Sequence, residues 1–96
     1  MTDVQPRVVD NADEERYELW LGDRLAGVLE YASEPGATIL VHTEVDPAFE
    51  GKGLASRLVA AALDDIRSRG LRMIPECPYV LSYLRRHPEN ADLVDG

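Results

Sequence analysis

Hydrophobic residues in this chain follow a two-residue period up to about residue 45 and a helical period beyond residue 53. The first half contains segments that alternate or are rich in β-branched residues, separated by turn signals such as Gly22-Asp23. These segments predict strands that begin near Val8 and then cover Arg16–Leu21, Arg24–Ala32 and Thr38–Val45. Strict alternation within the third segment puts four residues on one face: Leu25, Gly27, Leu29 and Tyr31.

The second half begins with apolar side chains that recur every three or four residues. This spacing predicts an amphipathic helix from about Gly53 to a terminator at Gly70. Leu71–Pro75 then reads as a short strand, and Pro78 can open a last helix that runs to about Arg86. Because strand–helix–strand crossovers make their two strands parallel, we predict an α+β fold. It has one mixed, mostly antiparallel sheet of about five strands, one long crossover helix and a C-terminal helix.

The length of 96 residues suits one hydrophobic core and is too short for separate catalytic and substrate domains. We expect a single domain over residues 1–96, with residues 1–6 as a loose leader. No apolar run approaches the roughly 18 residues of a membrane span, and the N-terminus has no secretion-signal pattern. The single cysteine, Cys77, cannot form an internal disulfide. These features predict a cytoplasmic protein with no membrane partner.

The formal charge of −8 is confined to the first half of the chain. Residues 1–50 hold 3 Lys and Arg against 12 Asp and Glu, whereas residues 51–96 hold 7 against 6. Nucleic acid is therefore not an expected partner, since its binding requires many basic contacts to phosphates. The second half can tolerate a polyanionic ligand. The acidic half either serves solubility or attracts cationic amines.

A glycine-containing loop, Glu50-Gly51-Lys52-Gly53-Leu54-Ala55, separates the last predicted strand of the first half from the long helix. A helix that begins at such a loop points unpaired N–H groups and the positive end of its dipole at an anion. A Walker A loop is excluded because Lys52 is followed by Gly53 rather than by Ser or Thr. A dinucleotide fingerprint is excluded because Ser56 stands where its third small residue is needed and because the loop follows a meander. The loop either binds an anion or only turns the chain.

The segment Val45–Leu58 resembles the acetyl-CoA motif of the GNAT superfamily of N-acetyltransferases, which is Arg/Gln-x-x-Gly-x-Gly/Ala after a valine-ending strand. Gly53 takes the position of the invariant glycine, and Ala55 takes the final small position. Glu50 departs from the pattern, because it stands where the motif has Arg or Gln. Since backbone N–H groups hold most of the pyrophosphate in this superfamily, a carboxylate that points away is tolerable.

A more specific resemblance covers about residues 39–94 and includes His42–Val45, Ile74–Tyr79 and Tyr83–Glu89. These motifs are similar to the minimal GNAT-like family of roughly 100-residue proteins. The resemblance implies an acetyl-CoA cosubstrate without a metal, an aliphatic amine as acceptor, and a cysteine beside the acetyl group. In that family an acetyl-cysteine intermediate has been proposed.

The resemblance also implies which residues bind the cofactor, with pantetheine between the two parallel strands and the pyrophosphate at the loop. These residues are Thr43, Val45, Glu50, Gly51, Lys52, Gly53, Leu54, Ala55 and Ser56. For Lys52, an exposed loop lysine is an equally good reading. Arg85, Arg86 and His87 either reach the adenosine phosphate or cap the end of the last helix.

The candidate catalytic residues are Cys77, His42, Glu44 and Tyr83. Cys77 precedes a helix, whose dipole favours a thiolate, although a free cysteine is also commonly a small buried hydrophobe. His42 is a candidate base, and Glu44 on the same strand face can orient it. Tyr79 and Tyr83 are candidates for protonating the CoA thiolate, with a core role for one of them.

Three functions remain open on the sequence alone. The first is acetyl transfer from acetyl-CoA to a small amine, either directly or through Cys77. The second is a carrier or sensor that holds CoA or acyl-CoA without turnover. The third is an interaction protein in which the glycine loop only turns the chain. The oligomeric state and the acceptor are not predicted.

Overall fold

The computed structural model describes residues 5–95 and contains five strands and two α-helices. The strands are β1 (Pro6–Asn11), β2 (Arg16–Leu21), β3 (Arg24–Glu34), β4 (Ala37–Val45) and β5 (Arg72–Pro75), and the helices are α1 (Leu54–Ser68) and α2 (Pro78–Arg86). Short 3₁₀ segments cover Ala12–Glu14, Pro47–Phe49 and Pro88–Leu93. The expected leader lies largely outside the described residues, and Pro6 already belongs to β1.

The five strands form one sheet in the order β1-β2-β3-β4-β5. The first four strands are antiparallel, and β5 pairs in parallel with β4. Helix α1 connects these two parallel strands, as the crossover rule requires. It ends at Ser68, two residues before Gly70, which has the left-handed backbone (φ 69°) of a helix terminator. The predicted α+β fold is therefore confirmed.

One face of the sheet packs against α1 and α2, and we call it the helix face. Its core consists of fully buried side chains from both layers, including Leu19, Leu29, Leu40, Leu58, Val59, Ile66 and Val80. Tyr17 connects the sheet to α1, since its hydroxyl donates a hydrogen bond of 2.7 Å to the carboxylate of Asp65. The opposite face carries no helix of the described chain, and we call it the outer face.

A bulge in β3 changes which side chains reach each face. The register pairs Leu19 with Gly27 and Trp20 with Leu25, so Ala26 is an extra residue. The expectation that Leu25 shares a face with Gly27 is therefore wrong. Leu25 lies beside Trp20 on the outer face, and its neighbour Arg24 is turned to the helix face.

A second bulge lies in β4, just where β4 and β5 separate. His42 pairs with Glu30 and Leu40 pairs with Tyr31, which leaves Val41 without a partner in β3. Pairing with β5 ends at Leu40, whose carbonyl accepts hydrogen bonds from the N–H groups of Glu76 and Cys77 at 3.0 and 2.9 Å. Beyond this point the chain turns into α2, and no strand of residues 5–95 covers this edge of β4.

The segment after α2 returns to the sheet. Val94 forms a parallel bridge with Met73, and the N–H of Asp95 donates to the carbonyl of Met73 at 2.9 Å. The tail thus covers the edge of β5 that does not pair with β4. We did not predict this contact from the sequence. Within residues 5–95, no helix is both long and apolar enough to cross a membrane.

Candidate functional site

The free edge of β4 presents backbone hydrogen-bonding groups. The N–H of Asp46 donates to the carbonyl of Ala26 at 2.8 Å, and the register pairs Glu44 with Val28. In an antiparallel pair only every second residue bonds its neighbour. Thr43 and Val45 therefore direct their backbone N–H and C=O groups away from β3, into the gap that opens beyond β5.

The glycine loop places the N-terminus of α1 beside the same gap. Gly51 and Gly53 have φ values of 83° and 74°, a left-handed backbone that favours glycine. Gly53 is the N-cap of α1, no side chain caps the helix there, and the first turn holds no acidic residue. The first N–H groups of α1 are thus free of intrahelical partners and side-chain caps. This end of the helix favours an anion.

The gap and the helix end form one cleft of about 340 Å³, which we call the central cleft. It is lined by Thr43, Val45, Phe49, Glu50, Gly51, Gly53, Leu54, Ala55 and Tyr79. Most of the predicted cofactor residues are therefore brought together. Phe49 was not predicted, because it belongs to a 3₁₀ turn that Asp46 caps through a 2.9 Å bond to the N–H of Ala48, and no periodicity marks such a turn.

Cys77 lies behind the wall of the central cleft. The residue is 2% exposed, and its Sγ lies 3.2 Å from Oγ1 of Thr43. Either atom can be the donor in this contact. Cys77 is also the N-cap residue of α2, so the thiol sits at the positive end of that helix. The structure thus places the predicted nucleophile one side chain away from the cleft.

Two tyrosines of α2 have different surroundings. The Tyr79 ring lines the central cleft, and its hydroxyl is 2.8 Å from Oγ of Ser56 in the first turn of α1. Tyr83 is buried and stacks on His87 with 4.1 Å between ring centroids. Burial, with smaller contributions from Glu89 and Asp64, raises the pKa of Tyr83, which keeps its phenol neutral. Tyr83 does not line the cleft.

His42 and Glu44 lie on the outer face of the sheet. They pair with Glu30 and Val28, while the alternate residue Thr43 contacts Cys77 on the helix face. His42 Nε2 is 3.3 Å from Oε1 of Glu44, a distance at which Glu44 can orient the imidazole, as predicted. The structure does not bring His42 to Cys77.

Two charged residues of the loop differ in position. Glu50 lines the central cleft and is exposed to solvent. Lys52 is exposed and lines a neighbouring cavity instead. The groups inside the cleft that suit an anion are therefore the amides of the loop and of α1, and not the Lys52 side chain.

The family profile described as GCN5-related N-acetyl-transferase matches residues 16–93. This span includes the free edge of β4, the glycine loop and Cys77. The chain therefore belongs to the GCN5-related N-acetyltransferase family, whose members use acetyl-CoA as the acetyl donor.

Two relatives and one solved structure are similar to this chain. Protein NATD1 of Xenopus tropicalis is 35% identical over 66 residues, which cover 69% of this chain and 60% of that protein. Protein NATD1 of Homo sapiens is 39% identical over 49 residues, covering 51% of this chain and 43% of that protein. The chain thus spans about half the length of these relatives. A GCN5-like protein of Staphylococcus aureus, solved by NMR, superposes with a TM-score of 0.70 at 19% identity, over 100% of this chain and 92% of that chain. This last likeness concerns the fold alone.

Proposed function

We propose that this protein transfers the acetyl group of acetyl-CoA to a small aliphatic amine. The observation that carries the proposal is the continuity of the central cleft. It begins at uncapped amides of α1, follows the free edge of β4 past Val45 and Thr43, and ends one side chain from Cys77. A diphosphate, an amide-bearing arm and a thioester are arranged in the same order along acetyl-CoA.

Each part of acetyl-CoA has matching groups in the cleft. The amides from Gly51 to Ala55 suit the diphosphate, and the left-handed glycines leave open space beside the loop, since nothing lies within 4 Å of a Cβ built on Gly51 or Gly53. The backbone of Thr43 and Val45 suits the amides of pantetheine, which would pair with β4 as an added strand does. The thioester then lies near Thr43 and Tyr79.

In the covalent route, Cys77 acts as nucleophile. Its sulfur forms a bond to the thioester carbonyl carbon, and the bond from that carbon to the CoA sulfur breaks. Tyr79 donates a proton to the departing thiolate, and the proton that Cys77 gives up replaces it on Tyr79, so the products are acetyl-Cys77 and CoA with a free thiol. The acceptor nitrogen then bonds the acetyl carbon, which regenerates the Cys77 thiolate. In the direct route, the amine attacks the acetyl-CoA thioester itself.

His42 is the proposed base for the amine. Pairing of β4 with β5 ends at Leu40, so no strand of residues 5–95 closes the sheet beside His42, which is exposed on the outer face. An amine that arrives at the outer face meets His42 and Glu44, and its proton passes to the imidazole. The acidic residues of the outer face, Glu30, Glu44 and Asp46, would attract a cationic acceptor.

The second candidate is a carrier or sensor that binds CoA or acyl-CoA without turnover. The observation that favours it is the burial of Cys77, a residue that is 2% exposed and whose sulfur is in contact with Thr43. A thiol in this position reaches a thioester only if the Thr43 side chain moves. The carrier would use the same cleft and loop but no nucleophile.

Titration calorimetry with acetyl-CoA, followed by intact-mass spectrometry, separates these functions. The enzyme binds acetyl-CoA and releases CoA in the presence of an aliphatic amine such as spermidine. In the covalent route, wild type also gains one acetyl group, and the Cys77→Ala variant, with the same cleft, gains none. Binding without adduct and without amine-dependent CoA release indicates the carrier. An absence of binding at millimolar acetyl-CoA contradicts both.

A further inference from the structure

A second cavity, of about 490 Å³, adjoins the central cleft. The two share Phe49 and Leu54, so this cavity begins where the cleft passes the N-terminus of α1. It does not include Thr43 or Tyr79, and therefore lies at the end of the cleft remote from Cys77. Its apolar floor comes from Pro6, Leu21, Phe49 and Leu54, and its cationic wall from Arg24, Lys52 and Arg57.

The cations of this wall, Arg24, Lys52 and Arg57, are exposed and form no ion pair with any carboxylate of residues 5–95. Other arginines of the chain do pair with carboxylates: Arg16, Arg67, Arg69 and Arg72. Such a concentration of unpaired positive charge is notable in a chain of net charge −8. Like charges placed together without a counter-ion repel one another, and a bound anion relieves that repulsion.

The bulge at Ala26 is what brings Arg24 into this wall. Under regular alternation Arg24 would share the outer face with Val28, whereas the extra residue turns it to the helix face. There its guanidinium lies 5.3 Å from the centroid of the Phe49 ring. This stacking holds the guanidinium beside the loop at the edge of the central cleft.

We propose that Arg24, Lys52 and Arg57 bind the 3′-phosphate of the adenosine end of CoA, so that the protein prefers CoA to 3′-dephospho-CoA. This inference rests on the proposed use of acetyl-CoA. In CoA the 3′-phosphate and the diphosphate are attached to the same ribose. A diphosphate held by the amides of α1 therefore places the second anion one sugar away, and the adjoining cavity is the cationic space within that reach.

The arginines at the end of α2 are the competing site. Arg85 and Arg86 are also exposed cations, but Arg86 lies 5.9 Å from the ring centroid of Tyr79, and neither arginine lines the central cleft or the adjoining cavity. Arg86 therefore stands beside the residue proposed to protonate the CoA sulfur.

Titration calorimetry with CoA and with 3′-dephospho-CoA tests the proposal. Wild type is expected to bind CoA more tightly than dephospho-CoA. Each of Arg24→Gln, Lys52→Gln and Arg57→Gln should weaken CoA binding about three- to five-fold, the scale of exposed charge pairs, and leave dephospho-CoA binding unchanged. The triple variant should bind both ligands equally. Arg7→Gln is the matched control, because Arg7 is exposed on β1 and alternates with Pro6, so it lies on the outer face.

Equal binding of CoA and dephospho-CoA by wild type overturns the phosphate site and leaves the proposed function standing. The site is also overturned if Arg85→Gln or Arg86→Gln abolishes the preference and the triple variant retains it. If wild type binds neither ligand, the proposed function itself fails, so the two failures are distinguishable. The substituted side chains are all exposed, and unchanged melting temperatures verify that the variants fold.

Discussion

The hydroxyl oxygen of Thr43 lies 3.2 Å from the sulfur of Cys77. Thr43 stands on the free edge of β4, and Cys77 is the N-cap of α2, so this contact joins the strand edge to the start of the helix. As a donor, the hydroxyl stabilises a thiolate at Cys77. As a side chain, it separates the thiol from the central cleft. The hydrogen bond thus raises the reactivity of Cys77, whereas the position of the side chain lowers its accessibility from the cleft.

Replacing Thr43 with valine keeps the shape of the side chain and removes the hydrogen bond. Because hydrogen bonds to charged groups contribute roughly 1.5–3 kcal/mol at most, we expect Cys77 to react about ten-fold more slowly with acetyl-CoA or iodoacetamide at neutral pH. Mass spectrometry over time measures this rate. Thr38→Val is the control, since Thr38 is also buried on β4 but bonds no sulfur. Equal rates in both variants would show that the hydroxyl does not assist the thiolate.

Alanine at Gly53 should affect ligand binding more than stability. The left-handed backbone costs a non-glycine residue about 1 kcal/mol, so Gly53→Ala lowers the free energy of unfolding by that amount. It should weaken acetyl-CoA binding at least ten-fold, because the added methyl enters the open space beside the helix amides. Gly36→Ala has the same strain, with φ 77° and no atom within 4 Å of the new Cβ, and lies in the β3–β4 turn. The idea fails if both variants bind acetyl-CoA like wild type.

The proposed roles of the α2 tyrosines can be separated by two phenylalanine variants. Tyr79→Phe should slow amine-dependent CoA release about 10- to 100-fold, near the lower range for general acids, because a thiolate leaves readily. Its affinity for acetyl-CoA should stay close to that of wild type. Tyr83→Phe removes a hydroxyl outside the cleft and should leave turnover unchanged. If only Tyr83→Phe lost turnover, the proton donor would be Tyr83 and not Tyr79.

Glu18 should make the fold sensitive to acid. Burial raises the pKa of this carboxyl, but hydrogen bonds from Asn11, Arg16 and Trp20 and the charge of Arg16 outweigh that effect and hold the pKa below its ordinary value. A pKa lowered by folding means that the ionised group stabilises the protein above the unfolded pKa. This stabilisation is lost as the pH falls through the folded pKa.

We therefore expect Glu18→Gln to cost about 1–3 kcal/mol at pH 7, and the difference from wild type to shrink below pH 4.5, the ordinary value. Urea denaturation at a series of pH values measures this. Glu30→Gln, an exposed neighbour opposite Arg16, should stay within about 0.5 kcal/mol of wild type. A difference for Glu18→Gln that is independent of pH would contradict the assignment.

Most of the architecture follows from local signals in the sequence. The bounds of β2 and α2 agree with the prediction to the residue, because each is set by a strong signal such as Gly22-Asp23 or Pro78. The ends of α1 follow from Gly53 and Gly70. The parallel pairing of β4 and β5 follows from the crossover rule, which does not depend on side-chain detail.

The faces of the strands beyond each bulge could not be predicted. An extra residue such as Ala26 or Val41 leaves no periodic mark, and its position depends on how neighbouring strands align. The bridge between Val94 and Met73 could not be predicted for a related reason, since a single bridge is a tertiary contact that leaves no local pattern in the sequence. The same limit applies to the site, where the different environments of Tyr79 and Tyr83 depend on how α2 packs.

The bulge at Val41 decides which chemistry the gap between β4 and β5 contains. If β4 instead paired regularly with β3, with Val41 opposite Glu30, the alternation that starts at Leu40 would turn His42 and Glu44 inward. A thioester in the gap would meet an ionisable pair in place of a hydroxyl and a valine, while Thr43 would be turned toward water and away from the sulfur. The bulge thus puts the proposed proton acceptor, His42, and the proposed acetyl acceptor, Cys77, on opposite sides of a wall that is only one strand thick.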